Sequence, residues 1–204
     1  MARGDKGSIL DGFHGRLNEH IVIKQRNGKP VLCFYPQGKK VKWTENQKIH
    51  RQRFKDATAY AKQVMKNPDR LAFYRTYEQD GINAANLAIR DYMHEPEINS
   101  IDIRKSRKTD QYLIRVHATD NFIITKVDIA LRDLSGKFIL ATDANQFRHT
   151  TLWLLKIDIE QLCQVHTIRV RAHDYTGNIT VKDHNISPRE AMKWIHHSHN
   201  KATG

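Results

Sequence analysis

A seven-residue pattern occurs twice in the second half of the chain and limits the possible folds more than any other feature. Ile114-Arg115-Val116-His117-Ala118-Thr119-Asp120 and Ile168-Arg169-Val170-Arg171-Ala172-His173-Asp174 both read Ile-Arg-Val-x-Ala-x-Asp. Alternation of this kind marks a half-buried strand. Ile114, Val116 and Ala118 share one face, and Arg115, His117 and Thr119 the other. Ile168, Val170 and Ala172 oppose Arg169, Arg171 and His173 in the same way. Each segment closes on an Asp whose carboxylate is suited to folding onto the following backbone and starting a turn. Two such strands read as the central strands of a β-sandwich, each laying an apolar face into one core. The flanking sequences do not repeat, so a shared environment explains the echo better than duplication does.

Period two governs the chain from Ile98 onward. Strands are expected over 98–104, 111–118, 126–132, 138–141, 151–157, 166–173 and 179–182. Turn chemistry falls between them at Lys108-Thr109-Asp110, Thr119-Asp120-Asn121, Leu134-Ser135-Gly136 and Tyr175-Thr176-Gly177-Asn178. Seven short strands so spaced are the pattern of an immunoglobulin-like β-sandwich, expected here over residues 98–185.

The first 97 residues read differently. Gly4, Gly7, Gly12 and Gly15 punctuate an arm whose Ile9, Leu10, Phe13 and Leu17 would dock on an apolar surface. Asn27-Gly28 between apolar runs is a two-residue hairpin signal. Pro30 places its strand at an edge, or where no donor is needed. Thr44 with Gln47 has the form of a capping box. It opens a helix to about residue 66 with an apolar stripe of Phe54, Ala57, Ala61, Val64 and Met65, stopped by Asn67-Pro68. Helices over 69–79 and 83–93 follow, and Glu95-Pro96-Glu97 turns the chain into the strands. A last helix starts at Ser187, with Pro188 at its first position and Glu190 completing a cap; Met192, Trp194 and Ile195 would cover an edge or a partner. The expected class is α+β: an N-terminal hairpin and helices (1–97), the sandwich (98–185), and a C-terminal helix and tail (186–204).

Several segments together carry a resemblance. Asn86-Leu-Ala-Ile-Arg-Asp-Tyr, Glu95-Pro-Glu-Ile, the first Ile-Arg-Val-x-Ala-x-Asp and Lys126-Val-Asp-Ile-Ala-Leu-x-Asp-x-Ser-Gly resemble a group of uncharacterised bacterial proteins. In that group a helical segment leads through a proline into an immunoglobulin-like domain. Gly12-Phe-His-Gly-Arg-Leu and Arg26-Asn-Gly-Lys are similar to the start of small bacterial proteins. The resemblance implies the fold and no catalysis.

Charge divides the chain unevenly. Residues 1–70 hold 16 Lys/Arg against 6 Asp/Glu, and residues 71–204 hold 18 against 16. A concentrated positive field recruits phosphates and other polyanions. The candidate polyanion-binding residues are Lys24, Arg26 and Lys29 at the hairpin tip, Lys39, Lys40, Lys42 and Trp43 in the basic loop, and Arg51 and Arg53 on the helix. Cations with an aromatic for stacking suit phosphate and base contact.

Other chemistry finds little footing. There is no Gly-x-x-x-x-Gly-Lys-Ser/Thr phosphate loop and no Gly-x-Ser-x-Gly elbow. No catalytic residue, cofactor or small-molecule substrate is expected. His196, His197 and His199 lie in a loose tail, which lacks the rigidity of a zinc site. Asp120, Asp133, Asp143 and Asp174 fall at strand ends, where turn formation competes with calcium ligation; turn formation is preferred. Cys33 and Cys163 are expected as buried free thiols within strands. Neither a secretory signal nor a membrane span is legible, which points to a cytoplasmic protein. The expected role is non-catalytic: a binding or scaffold protein meeting a protein partner, or a second copy of itself, through its sandwich and N-terminal arm. The alternative is a nucleic-acid-associated protein that uses its basic first third.

Overall fold

The computed structural model describes residues 2–3, 10, 12–26, 28–35, 42–106, 109, 111–188 and 190–192. The protein is α+β, with three helices near its N-terminal end and three antiparallel sheets among the described residues.

The first sheet contains β1 (Ala2–Arg3), β2 (Gly15–Arg16), β3 (Ile21–Arg26) and β4 (Lys29–Phe34), in the order β1-β4-β3-β2. β3 and β4 form the expected hairpin, in register from Ile21↔Phe34 to Arg26↔Lys29. Asn27 lies outside the described residues; Gly28 has φ 71°, a conformation glycine adopts without a Cβ penalty. β4 is flanked on both sides, but β1 reaches only Val31 and Leu32. Pro30 therefore pairs with β3 alone, at a point where the missing donor costs little.

Next come α1 (Glu45–Val64), α2 (Pro68–Arg75) and α3 (Ala84–Met93). The capping box forms: the Gln47 backbone N–H donates to Thr44 Oγ1 at 3.3 Å, and the Thr44 N–H to Gln47 Oε1 at 2.9 Å. The buried stripe is Ala57, Tyr60, Ala61 and Val64. Phe54 and Met65, expected in it, are exposed instead, because Tyr60 fills the space between α1 and its neighbours. Pro68 both stops α1 and starts α2: Asn67 caps α2 by accepting from the Arg70 N–H, and Pro68 has no N–H to leave orphaned. α2 ends at Arg75, earlier than expected, and a tight turn around Gly81 pairs Gln79 with Ile82.

The remaining strands are β5 (Glu97–Lys105), β6 (Tyr112–Thr119), β7 (Ile124–Arg132), β8 (Phe138–Asp143), β9 (Asn145–Gln146), β10 (Leu152–Ile157), β11 (Thr167–Asp174) and β12 (Ile179–Asn185). They form two four-stranded sheets, ordered β5-β6-β10-β9 and β12-β11-β7-β8. The echoed segments are β6 and β11, one in each sheet and each flanked on both sides. Ile114, Val116, Ala118, Ile168, Val170 and Ala172 all lie in one buried cluster with Val127, Ile129, Leu131, Trp153, Leu155 and Ile157. At roughly 1.5–3 kcal/mol per buried aliphatic side chain, this cluster dominates the stability of the sheet region.

The two-residue strands β1, β2 and β9, too short for any period, and the single turn α4 (Ile159–Leu162) had no sequence signal. Cys163 closes α4 and is exposed, and Cys33 is half-buried in β4. The expectation of two buried strand thiols therefore fails: Cys163 is exposed and outside any strand, and Cys33 lies in a strand but is only half-buried.

The edge strand β12 turns an inverted face to the core. Its register sets Thr180, Lys182 and His184 opposite Ala172, Val170 and Ile168, on the core side. The Lys182 ammonium donates to the carbonyls of Ile98 (2.8 Å) and Asn99 (3.3 Å), at the bulge in β5. It ties the exposed edges of the two sheets together. After β12, Ile186 enters the core, and Ser187 and Glu190 make the expected reciprocal cap. Trp194, Ile195 and the tail histidines lie outside the described residues.

Candidate functional site

Strand register sorts the N-terminal sheet into two unlike faces. Residues directly opposite in an antiparallel ladder share a face. Val22, Lys24 and Arg26 therefore lie with Cys33, Val31 and Lys29, and Arg16 joins them opposite Val22. The reverse face carries Ile21, Ile23, Gln25, Pro30, Leu32 and Phe34, with no charge. The Arg16 guanidinium stacks over Tyr35 at 4.2 Å and donates from Nε to the Asn18 carbonyl at 3.0 Å. Of the candidate polyanion residues, Lys24, Arg26 and Lys29 share this one face. Arg16 extends it; two-residue β2 was too short to place it from sequence.

The second group sits where α1 begins. Residues 42–52 are all exposed, so the first two turns of α1 stand clear of the core. The Arg51 guanidinium lies over the Trp43 ring at 4.2 Å. Trp43, Lys48, Arg51, Phe54 and Lys55 line a groove of about 660 Å³. Lys42 is exposed next to Trp43. Arg53 does not join this group: it pairs with Glu95 at 2.8 Å and ties α1 to the segment before β5. Lys39 and Lys40 lie outside the described residues.

A buried polar joint connects the helices to the sheets, and sequence reasoning missed it. The Tyr74 hydroxyl donates to Asp91 Oδ2 at 2.5 Å, and Tyr60 Oη lies 3.1 Å from Tyr74 Oη. Asp91 is fully buried on α3, and its Oδ1 has no hydrogen-bond partner among the described residues. Burial raises the Asp91 carboxyl to about 7; the Tyr74 hydrogen bond opposes the rise, and the charges of Asp120 and Asp174 add to it. Burial likewise raises Asp120 and the Tyr60 and Tyr74 hydroxyls. The signal existed: Asp91 falls at i+3 from Ala88 and i+4 from Leu87, on the apolar stripe of α3.

The echoed Asp residues build the other side of this joint. Asp120 Oδ2 accepts the Phe122 N–H at 3.2 Å. Asp174 Oδ1 accepts from the backbone N–H groups of Gly177 (2.7 Å) and Asn178 (2.8 Å). Each turn then delivers an aromatic ring, Phe122 or Tyr175, into the helical cluster around Tyr74 and Phe73. The Asn178 amide also donates to the carbonyls of Tyr92 (3.2 Å) and His94 (2.8 Å) at the end of α3. Orphan helix carbonyls are thereby satisfied from the sheet side.

Other candidate chemistry is otherwise engaged. Asp133 makes the expected turn, accepting from Ser135 Oγ and the Lys137 N–H. Asp143 does not; it pairs with Lys126 at 2.9 Å. On the outer face of the second sheet, Arg169 grips Asp183 with two nitrogens, while Arg171 and His173 converge on Asp128 at 2.7 Å each. Burial alone would raise the Asp128 carboxyl, but these two hydrogen bonds carry it below its ordinary value. Among the described residues no helix is long and apolar enough to cross a membrane, and no group of three or more His, Cys, Asp or Glu is placed to hold a metal ion. His196, His197 and His199 lie outside them. No protein-family model, curated protein or solved structure matches this chain.

Proposed function

We propose that this chain is a non-catalytic binding protein whose basic first third holds a nucleic acid and whose second half is an immunoglobulin-like platform. The observation that carries the reading is the two-faced N-terminal sheet. Arg16, Lys24, Arg26 and Lys29 share one face, and the opposite face carries no charge among the described residues. A clustered cationic face provides phosphate contacts without sequence choice. In the second half, most outward cations of β7 and β11 are neutralised: Lys126, Arg169 and Arg171 each hold an Asp. The platform reading is supported by strand order. β5-β6-β10-β9 and β12-β11-β7-β8 correspond to the A-B-E-D and G-F-C-C′ orders of immunoglobulin-like domains.

The test is binding of the full chain to a mixed-sequence oligonucleotide across a salt series. The combined variant Lys24→Gln, Arg26→Gln, Lys29→Gln is expected to weaken binding and to flatten the salt dependence by about two to three log units per log unit of salt. Equal affinity and slope in the variant would remove the sheet face from the reading. Absence of binding at low salt would end the reading as a whole.

A protein partner, including a second copy, is a second reading favoured by one observation. β8 is an open sheet edge, and Leu134 and Phe138 beside it are 81% and 56% exposed. Sedimentation of the full chain over a concentration series tests self-association, with Ala141→Pro in β8 expected to abolish it. Of the N-terminal arm, residues 1, 4–9 and 11 lie outside the described residues, and Phe13 and Leu17, expected to dock on an apolar surface, are exposed instead.

A further inference from the structure

We infer that the groove at the start of α1 takes the bases of a single-stranded nucleic acid, with Trp43 as the stacking platform. This deepens the reading of the basic first third and rests on it. Phosphate contact alone explains cations; it does not explain apolar rings held open among them. Trp43 is 44% exposed and Phe54 51%, and both line the same groove. What sets this pair apart from other exposed apolar side chains is that two rings share one groove with Lys48, Arg51 and Lys55.

The composition of the segment selects the ligand. Residues 42–55 contain Lys42, Lys48, Arg51, Arg53 and Lys55 against Glu45 alone. Lys48 pairs with Glu45 at 3.1 Å and Arg53 with Glu95 at 2.8 Å. Lys42, Arg51 and Lys55 form no ion pair with another described residue. An apolar protein surface would leave these cations uncompensated, whereas a nucleic acid supplies phosphate to them and a π-face to the rings. In a duplex the base faces are stacked on one another and out of reach, so the strand must be single.

The platform is also held in place. The capping box fixes the backbone immediately after Trp43, and Arg51 covers one face of the indole at 4.2 Å. A rigid aromatic loses little freedom on binding, and a guanidinium stacked on it is itself a surface for a base. Phe54 lies three residues beyond Arg51 on the same flank of the helix, which offers a second ring to the next base.

The experiment uses the full chain, a labelled mixed-sequence single strand of about 20 nucleotides, and the duplex of the same sequence, across a salt series. Single-strand binding is expected to exceed duplex binding at least tenfold. Trp43→Ala should weaken single-strand binding about fivefold to a hundredfold with an unchanged salt slope, and Trp43→Phe should recover most of the loss. Lys55→Gln should instead lower the slope by about 0.7. Trp43 lies outside both buried clusters, so a thermal melt matching the parent is expected and checks that the variants fold. Equal binding of single strand and duplex, or a Trp43→Ala variant that binds like the parent, overturns the inference while leaving the basic face as a phosphate binder. If neither strand form binds at low salt, both the inference and the reading beneath it fall, and the groove is then assigned to a protein partner.

Discussion

The Tyr74 hydroxyl sits 2.5 Å from Asp91 Oδ2, in a site where the carboxyl is fully buried and its other oxygen has no partner among the described residues. Tyr60 approaches Tyr74 from α1, Tyr92 and Asp91 itself lie on α3, and Asp120, Asp174 and Tyr175 come from the turns after β6 and β11. Arg70 lies over the rings of Tyr60 and Tyr175 but forms no ion pair with Asp91. An acid so placed holds its proton up to a pH of about 7.

The contribution of Asp91 to stability should therefore fall as pH rises from about 4 to about 7. The folded carboxyl titrates at about 7, against an ordinary value of 3.8. Between those values the native state binds more protons than the unfolded chain. Asp91 thus contributes fully below the lower value, and its contribution declines up to the upper one, with a slope of up to roughly 1.4 kcal/mol per pH unit. Asp91→Asn should remove that slope between pH 5 and 7 in urea denaturation. A variant with the parent's pH profile would show that Asp91 is ionised in the folded protein.

Tyr74→Phe isolates the hydrogen bond. It leaves Asp91 Oδ2 buried without a donor, at a cost of about 1–3 kcal/mol. Because the Tyr74 hydroxyl lowers the Asp91 carboxyl, the variant should titrate Asp91 still higher. Carboxyl-carbon NMR of labelled protein reads this directly; an unmoved titration would separate the two groups.

Asn178→Ala tests how the sheets hold the helices. The amide satisfies the Tyr92 and His94 carbonyls and also donates to Asp174 Oδ2 at 2.8 Å. Its loss should cost about 1–3 kcal/mol. Hydrogen exchange should rise in α3 and the turn after β11 and stay unchanged in β7. Uniform loss of protection would instead show that the two parts unfold as one.

Lys182→Val examines the core-facing charge on an edge strand. The ammonium satisfies two carbonyls at the β5 bulge and discourages pairing with another chain. The variant should lose about 1–3 kcal/mol and form concentration-dependent oligomers in light scattering. A monomer of parent stability would contradict both roles.

Much of this protein was determined by sequence alone, for a local reason. Alternation in Ile114–Asp120 and Ile168–Asp174, the Thr44–Gln47 cap and the Ser187–Glu190 cap are decided within a few residues, so their strands and helix starts were legible. The echoed Asp residues were legible as turn formers because an Asx turn needs only its own backbone. What only the tertiary structure decided are relations between distant segments. It turned Arg53 onto Glu95 and Asp143 onto Lys126, placed Tyr60 rather than Phe54 in the helical core, and pointed Lys182 toward the core. It also gathered Arg16, Lys24, Arg26 and Lys29 on one face and closed Asp91 under Tyr74. Long-range burial and register set each of these outcomes, and no local pattern encodes them.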